Sequence, residues 1–328
     1  MADAAIATEQ LVKRYGEIEA VRGIDLSIMP GEIFGFLGPN GAGKSTTISM
    51  LCTLLRPTSG RAAVAGFDVA RDPGAVRARI GLVFQDPSLD EQLTARENLD
   101  FHAFLYDVPR ASRAQRINEV LEMVELADRA RSKVLTFSGG MKRRLEIARG
   151  ILHSPEVLFL DEPTRGLDPQ TRSHIWDYLR ALRRSEGITI FMTTHYMDEA
   201  EFCDRIAIID MGRIVALGTP DELKARVGGD VITIVTADNA TSAAELGSKF
   251  GLTPTVDDGT LRIEVSDGAA FIPRLVRDLS AQVTAVTLRR PSLDDVFLKL
   301  TGRAIREEQA GALDRMRIMA GRWGGGRR

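Results

Sequence analysis

The run Gly38-Pro39-Asn40-Gly41-Ala42-Gly43-Lys44-Ser45 holds the first residues whose types and spacing could do chemistry. It fits G-x-x-x-x-G-K-[ST], the pattern of a loop that binds phosphates. Glycines let the backbone curl until successive N–H groups face one anion. A helix starting there adds partial positive charge. Lys44 can reach the terminal phosphates of a nucleotide. Ser45 offers a hydroxyl to Mg2+, an ion that takes few protein ligands beside phosphates.

A second constellation is Val157-Leu158-Phe159-Leu160-Asp161-Glu162. Its apolar residues read as a buried strand with two carboxylates at the C-terminal end, where α/β sheets bind ligands. Asp161 suits the Mg2+ shell, and Glu162 suits the orientation of an attacking water. A third is Phe137-Ser138-Gly139-Gly140-Met141-Lys142-Arg143-Arg144-Leu145. Ser138 can cap a helix whose first turn carries no bulky side chain, which makes a second anion site. One chain needs only one phosphate cradle, so the second makes sense if it serves another subunit's nucleotide.

The elements that must position these groups are legible around them. Ile33–Leu37 reads as a strand running into the first loop, as do Val157–Leu160, Ile188–Met192 and Ile206–Ile209 elsewhere. Continuous apolar strands alternating with helices predict an α/β fold, with a mostly parallel sheet covered on both faces. Thr94 with Glu97 is a capping box, Asp168-Pro169 an N-cap followed by proline, and Thr219-Pro220-Asp221-Glu222 combines both signals. Glu97 to Ala130 is helix-forming throughout and predicts a helical subdomain, extending over about 97–150. Val227-Gly228-Gly229-Asp230 reads as a linker. Beyond it, strands at Val231–Val235, Leu261–Val265 and Val283–Leu288 alternate with helices at Ala240–Phe250 and Ala269–Leu279, which predicts a small accessory α+β domain over 231–301. Residues 302–328 read as a flexible basic tail.

Composition excludes several classes. Of 328 residues, 44% are apolar and 27% charged, with a net charge of −2, so no bulk charge advertises nucleic acid. Cys52 and Cys203 are too far apart for a metal motif and read as reduced core residues, which fits a cytosolic protein. No apolar run approaches the roughly 18 residues of a membrane-spanning helix. Met1 to Gln10 lacks the apolar core of a signal peptide. A role at a membrane therefore requires another chain to supply the span.

The order of the motifs over residues 5–227 resembles the ATP-binding cassette family, and the resemblance implies a P-loop ATPase using ATP and Mg2+. On it, Gly38 to Thr46 bind phosphates. Tyr15 stacks on adenine, and Gln85 contacts Mg2+ or water. Gly166-Leu167-Asp168 is the D-loop, with Asp168 counted among the nucleotide-binding residues, and His195 senses the γ-phosphate. Ser45, Gln85 and Asp161 are the metal set; Glu162, His195 and Gln85 are the catalytic set. Phe137 and Met141 depart from the common Leu-Ser-Gly-Gly-Gln, and Gly166 stands where Ala is common, but Ser138-Gly139-Gly140 is intact.

Leu288-Arg289-Arg290-Pro291-Ser292-Leu293-Asp294-Asp295-Val296-Phe297-Leu298 resembles the end of daunorubicin-resistance-type exporter ATPases. That resemblance implies a homodimer of ATPase subunits at the cytoplasmic face of the membrane. Its partner is a separate multi-spanning ABC-2-type permease that expels hydrophobic drugs or lipids. An importer ATPase or a soluble non-transport ABC ATPase shares the catalytic motifs and stands as the alternative. As an amphipathic helix, the segment is expected to pack Val296, Phe297 and Leu300 on the small domain.

Overall fold

The computed structural model describes residues 4–85, 88–257 and 260–301. The expected tail at 302–328 and Asp86, beside Gln85, lie outside them.

The chain begins with β1 (Ile6–Tyr15), β2 (Ile18–Ile28), β3 (Ile33–Leu37), α1 (Lys44–Leu51), β4 (Ser59–Val64), β5 (Phe67–Asp68), α2 (Pro73–Arg77) and β6 (Ile80–Val83). Next come α3 (Ala95–Leu105), α4 (Arg110–Met123), α5 (Gly139–Ile151), β7 (Val157–Asp161), α6 (Pro169–Glu186), β8 (Thr189–Thr194) and α7 (Met197–Ala200). β9 (Arg205–Asp210), β10 (Arg213–Gly218) and α8 (Pro220–Ala225) follow. The chain then runs β11 (Asp230–Thr236), α9 (Asn239–Phe250), β12 (Thr255–Asp257), β13 (Thr260–Val265), α10 (Gly268–Asp278), β14 (Val283–Arg289) and α11 (Leu293–Thr301).

The central sheet has the order β10-β9-β3-β8-β7-β6 and is parallel except at its β10 edge. Strand side chains alternate between faces, and here both faces are covered. Ile33, Leu37, Leu158, Leu160, Ile190 and Met192 enter the core beneath the helices. Phe34, Phe36, Val157, Phe159 and Phe191 enter a second core, against the antiparallel sheet β2-β1-β4-β5. In that second core Phe191 packs among Phe34, Phe36 and Phe159 at centroid distances of 5.5–5.7 Å. Cys52 and Cys203 are free and buried, as expected. Three helices, α3 to α5, fill the expected helical region, and Thr94 and Thr219 each close a capping box.

The last described segment holds a third core, formed by Ile232, Ile234, Leu246, Leu261, Ile263, Leu275 and Leu279. Its order β12-β13-β11-β14, antiparallel throughout, with helices in the sequence βαββαβ, is the ferredoxin-like arrangement.

One packing expectation is corrected. α11 is amphipathic and capped by Ser292, whose Oγ accepts from Asp295 N at 3.3 Å. Yet its apolar face does not lie on the small sheet. Leu293, Val296 and Phe297 are buried in the core beneath the central sheet, with Met197, Ala200 and Leu223, while Leu300 is exposed. The chain leaves β14 and turns back to α7 and α8. Lys299 Nζ completes the return by donating to Val227 O at 2.5 Å and Arg226 O at 3.3 Å.

Candidate functional site

Parallel register brings the expected groups to the C-terminal ends of neighbouring central strands. Leu37 pairs with Thr194, Asp161 with Thr193, and Val83 with Leu160. The loop after β3, the carboxylates after β7 and the histidine after β8 therefore emerge side by side. Gln85, half-buried, follows the end of β6 by two residues, and β6 pairs with β7, the strand that ends in Asp161.

The first glycine of the loop is dictated by close approach. A Cβ on Gly38 would lie 2.4 Å from Ile209 O. Gly43 has φ 111° and would meet Ala20 O at 2.6 Å, so both approach and backbone demand glycine there. Lys44 opens α1 directly after it. Its buried ammonium donates to Gly38 O at 2.7 Å and Pro39 O at 3.2 Å and stands 3.6 Å from Glu162 Oε1. Burial pulls its pKa down, against the raising pull of Glu162 and Asp161. Ser45 Oγ lies 3.4 Å from Asp161 Oδ1.

Glu162 is the hub. Burial alone would raise its carboxyl. The His195 hydrogen bond and the charges of Lys44 and Arg165 outweigh burial and hold the pKa below the ordinary glutamate value. His195 Nδ1 is 3.2 Å from Glu162 Oε1, and Arg165 Nη1 is 3.3 Å from Oε2. Thr193 joins the two acids: its hydroxyl donates to Asp161 Oδ1 at 2.5 Å and accepts from Glu162 N at 3.0 Å. Behind them Glu199 accepts from the hydroxyls of Thr164 and Thr194, tying the segment after Glu162 to the residue before His195. Thr193, Glu199 and Arg165 escaped the sequence reading. The polar pair Thr193-Thr194 at the end of an apolar strand was the available signal for the first.

Ser138 caps α5 as expected, accepting from Met141 N at 3.3 Å. Gly140 packs so closely on Thr171 that a Cβ would come within 2.6 Å of it. The Ser138–Gly140 helix start therefore rests on the start of α6, where Asp168 accepts from Thr171 N at 3.0 Å. Among the described residues no hydrogen bond joins Ser138–Gly140 to the loop from Gly38 to Thr46. Tyr15 lies at the turn of the β1–β2 hairpin, whose Ala20 touches Gly43; its ring is 46% exposed, with Lys13 Nζ 5.3 Å from the centroid.

A phosphate loop, two strand-end carboxylates and a histidine at the C-terminal ends of neighbouring strands, with a capped glycine helix start apart from them, define an ATP-binding cassette. Comparison with known proteins agrees. Residues 21–165 match the ABC transporter family, and residues 218–301 match the family described as "ATP-binding protein DrrA1-3-like, C-terminal domain". The daunorubicin resistance ATP-binding protein DrrA3 of Streptomyces coeruleorubidus is 44% identical over 94% of this chain and 100% of its own length. The linearmycin resistance ATP-binding protein LnrL of Bacillus subtilis is 42% identical over 92% of this chain and 100% of its own. A dimeric ATP-binding cassette solved in a post-hydrolysis state with ADP and Pi superposes with TM-score 0.59 at 30% identity, covering 65% of this chain and 98% of that one. The chain belongs to the daunorubicin-resistance-type ATP-binding subunits of the ABC transporter family. It binds and hydrolyses ATP as the motor subunit of an exporter.

Proposed function

We propose that two copies of this chain face head-to-tail at the cytoplasmic side of a membrane and drive a separate multi-spanning ABC-2-type permease that expels hydrophobic drugs or lipids. Each ATP then lies between the Gly38–Thr46 loop of one copy and the Ser138–Gly140 helix start of the other. Separation of these two anion sites within one chain supports that reading, because the second is idle without a partner's nucleotide. Lys44 neutralises the β- and γ-phosphates, Tyr15 stacks on adenine, and Asp168 faces the partner across the interface. Ser45 and Asp161, a hydroxyl and a carboxylate 3.4 Å apart, are hard oxygen donors of the kind Mg2+ accepts beside phosphate oxygens; Gln85 completes that set. Held there, Mg2+ would neutralise charge on the phosphate oxygens. Glu162 orients the attacking water, and His195 holds the γ-phosphate side of the site.

No helix among the described residues is long and apolar enough to cross a membrane. The surface instead offers apolar side chains on one face of α3, where Phe101, Phe104 and Leu105 are 57–65% exposed. Exposed patches of this kind mark interaction sites. The relatives' names, resistance to daunorubicin and to linearmycin, support hydrophobic cargo.

One observation carries the reading: a single carboxylate, Glu162, stands within 3.6 Å of Lys44 and 3.2 Å of His195. Glu162→Gln should keep MgATP binding, accumulate as an ATP-bound dimer on size exclusion, and lose about 10²- to 10⁴-fold in turnover. A variant that stays monomeric in ATP and turns over at the normal rate would refute the proposed role.

A further inference from the structure

Arg143 lies on α5, one helical turn beyond the Ser138–Gly140 start, and is buried to 6% exposure. Its guanidinium reaches inward to the backbone around Glu162. Nη2 donates to Asp161 O at 3.1 Å and Nε to Pro163 O at 2.6 Å, so one planar group holds both carbonyls flanking Glu162. Nη1 donates to Phe84 O, the carbonyl preceding Gln85, and to Glu146 Oε2 at 3.3 Å.

Glu146, fully buried, extends the grip. It accepts from Ser88 N at 2.7 Å and Ser88 Oγ at 3.2 Å, on the segment that follows Gln85. Arg149 Nη2 closes the cluster, donating to Ser88 Oγ and standing 3.5 Å from Glu146. Taking a guanidinium and a carboxylate out of water is costly, and an apolar pair of the same volume would pack without that cost. What an apolar pair cannot do is fix three backbone carbonyls from two separate loops in one plane. Glu162 itself has φ 46°, a left-handed backbone that a non-glycine residue keeps only when its surroundings enforce it.

We propose that Arg143 is a positioning residue that sets Glu162 and the Gln85 segment in register with the α5 start, acting within its own chain. The proposal rests on the reading of Glu162 as the residue that orients water. Ser138–Gly140 serve the partner's nucleotide, whereas Arg143, on the same helix, serves the chain's own site. Arg143 thus links the two half-sites of one subunit. Lysine cannot replace it fully: a single ammonium on a flexible stem lacks the planar fork that spans these acceptors. When Arg143 is removed, Ser88 and Arg149 still hold Glu146 Oε1, while Oε2 loses the Arg143 contact.

The test is a kinetic cycle in the full chain, with Arg143→Met, Arg143→Lys, Glu162→Gln and Arg143→Met/Glu162→Gln. Misplacing a catalytic group by about 1 Å costs on the order of 10²-fold. Arg143→Met should therefore lower kcat by about that factor, with the KM for ATP and ATP-driven dimerisation changed less than about 3-fold; Arg143→Lys should fall between. In the Glu162→Gln background the same change should cost less than about 3-fold, because a residue acting through Glu162 has nothing left to position. An equal loss in both backgrounds, a rise in KM without loss of kcat, or a wild-type kcat in either single Arg143 variant would overturn the assignment. Should Arg143→Met fail to fold, Arg143→Lys alone decides by its kcat and KM. Wild-type turnover in Glu162→Gln would instead overturn the reading of Glu162.

Discussion

Phe297→Ala should destabilise the ATP-binding cassette, although Phe297 follows the whole small sheet in sequence. Its ring is 1% exposed and sits with Leu293, Val296, Met197, Ala200 and Leu223. Truncating a buried Phe to Ala costs about 3–5 kcal/mol. Burying Leu293, Val296 and Phe297 together contributes about 5–8 kcal/mol by area, an upper estimate because the unfolded chain is itself partly compact. Domain stabilities run to about 5–15 kcal/mol, so ending the chain at Val227 removes much of the total and uncovers Leu223. A chain in which a short flexible linker replaces residues 230–289 keeps α11 and should hold its stability. Val231 pairs with Arg289 in the small sheet, so the ends to be joined are close. Urea unfolding with a bound nucleotide analogue as the probe of the site measures all three. If the chain ending at Val227 unfolds at the full-length midpoint, or Phe297→Ala costs less than about 1 kcal/mol, α11 is no part of the cassette core and the reasoning fails.

Two further outcomes are expected. Phe101→Asp with Phe104→Asp should leave the ATPase of the isolated subunit within about 2-fold and its stability within about 0.5 kcal/mol each, as surface changes do, yet abolish co-purification with the permease; retained co-purification would move the docking surface elsewhere. His102 is pushed down to about 3, by burial first and then by Arg149 and His153. The native state refuses a proton that the unfolded chain takes up below about 6.5. Stability therefore falls as pH drops from 6.5 toward 3, by at most about 1.4 kcal/mol per unit from this group, and is unaffected above 6.5. His102→Gln should flatten the urea midpoint between pH 6.5 and 5; an unchanged slope would show that His102 does not set it.

The parts of the site carried on unbroken runs were legible in the sequence. Gly38–Ser45 and Val157–Glu162 each hold an element and its chemistry within a few residues, so spacing alone specified them. The antiparallel sheet was not foreseen, because β1 breaks its own alternation: its pairing with β2 shifts register between Thr8 and Leu11, between Leu11 and Val12, and between Lys13 and Arg14. A period of two cannot survive such bulges. The segment carrying Val296, Phe297 and Leu300 is expected to form an amphipathic helix and does, but periodicity does not place its apolar face: Leu293 is buried in place of Leu300, and in a different core. Sequence adjacency favoured the small sheet; the path of the chain after β14 decided for the cassette.

The same distinction separates the residues of the site from what holds them. Asp161-Glu162-Pro163 reads in sequence as two acids ending a strand, and the proline should bias Glu162 toward extended backbone. Glu162 instead turns left-handed, at φ 46°. The groups that enforce this are distant along the chain: Thr193 Oγ1 on its N–H is 31 residues away, and Arg143 grips the carbonyls on either side from 18 and 20 residues away. None of these contacts leaves a local signature, since a threonine at a strand end and an arginine on a basic helix face are ordinary. Two neighbouring acids in one short segment thus take different duties. Asp161, still in the strand, faces Ser45, while the turn at the next residue swings Glu162 toward Lys44 and His195. Loss of that turn would leave both carboxylates present but place the second where a straight strand would put it.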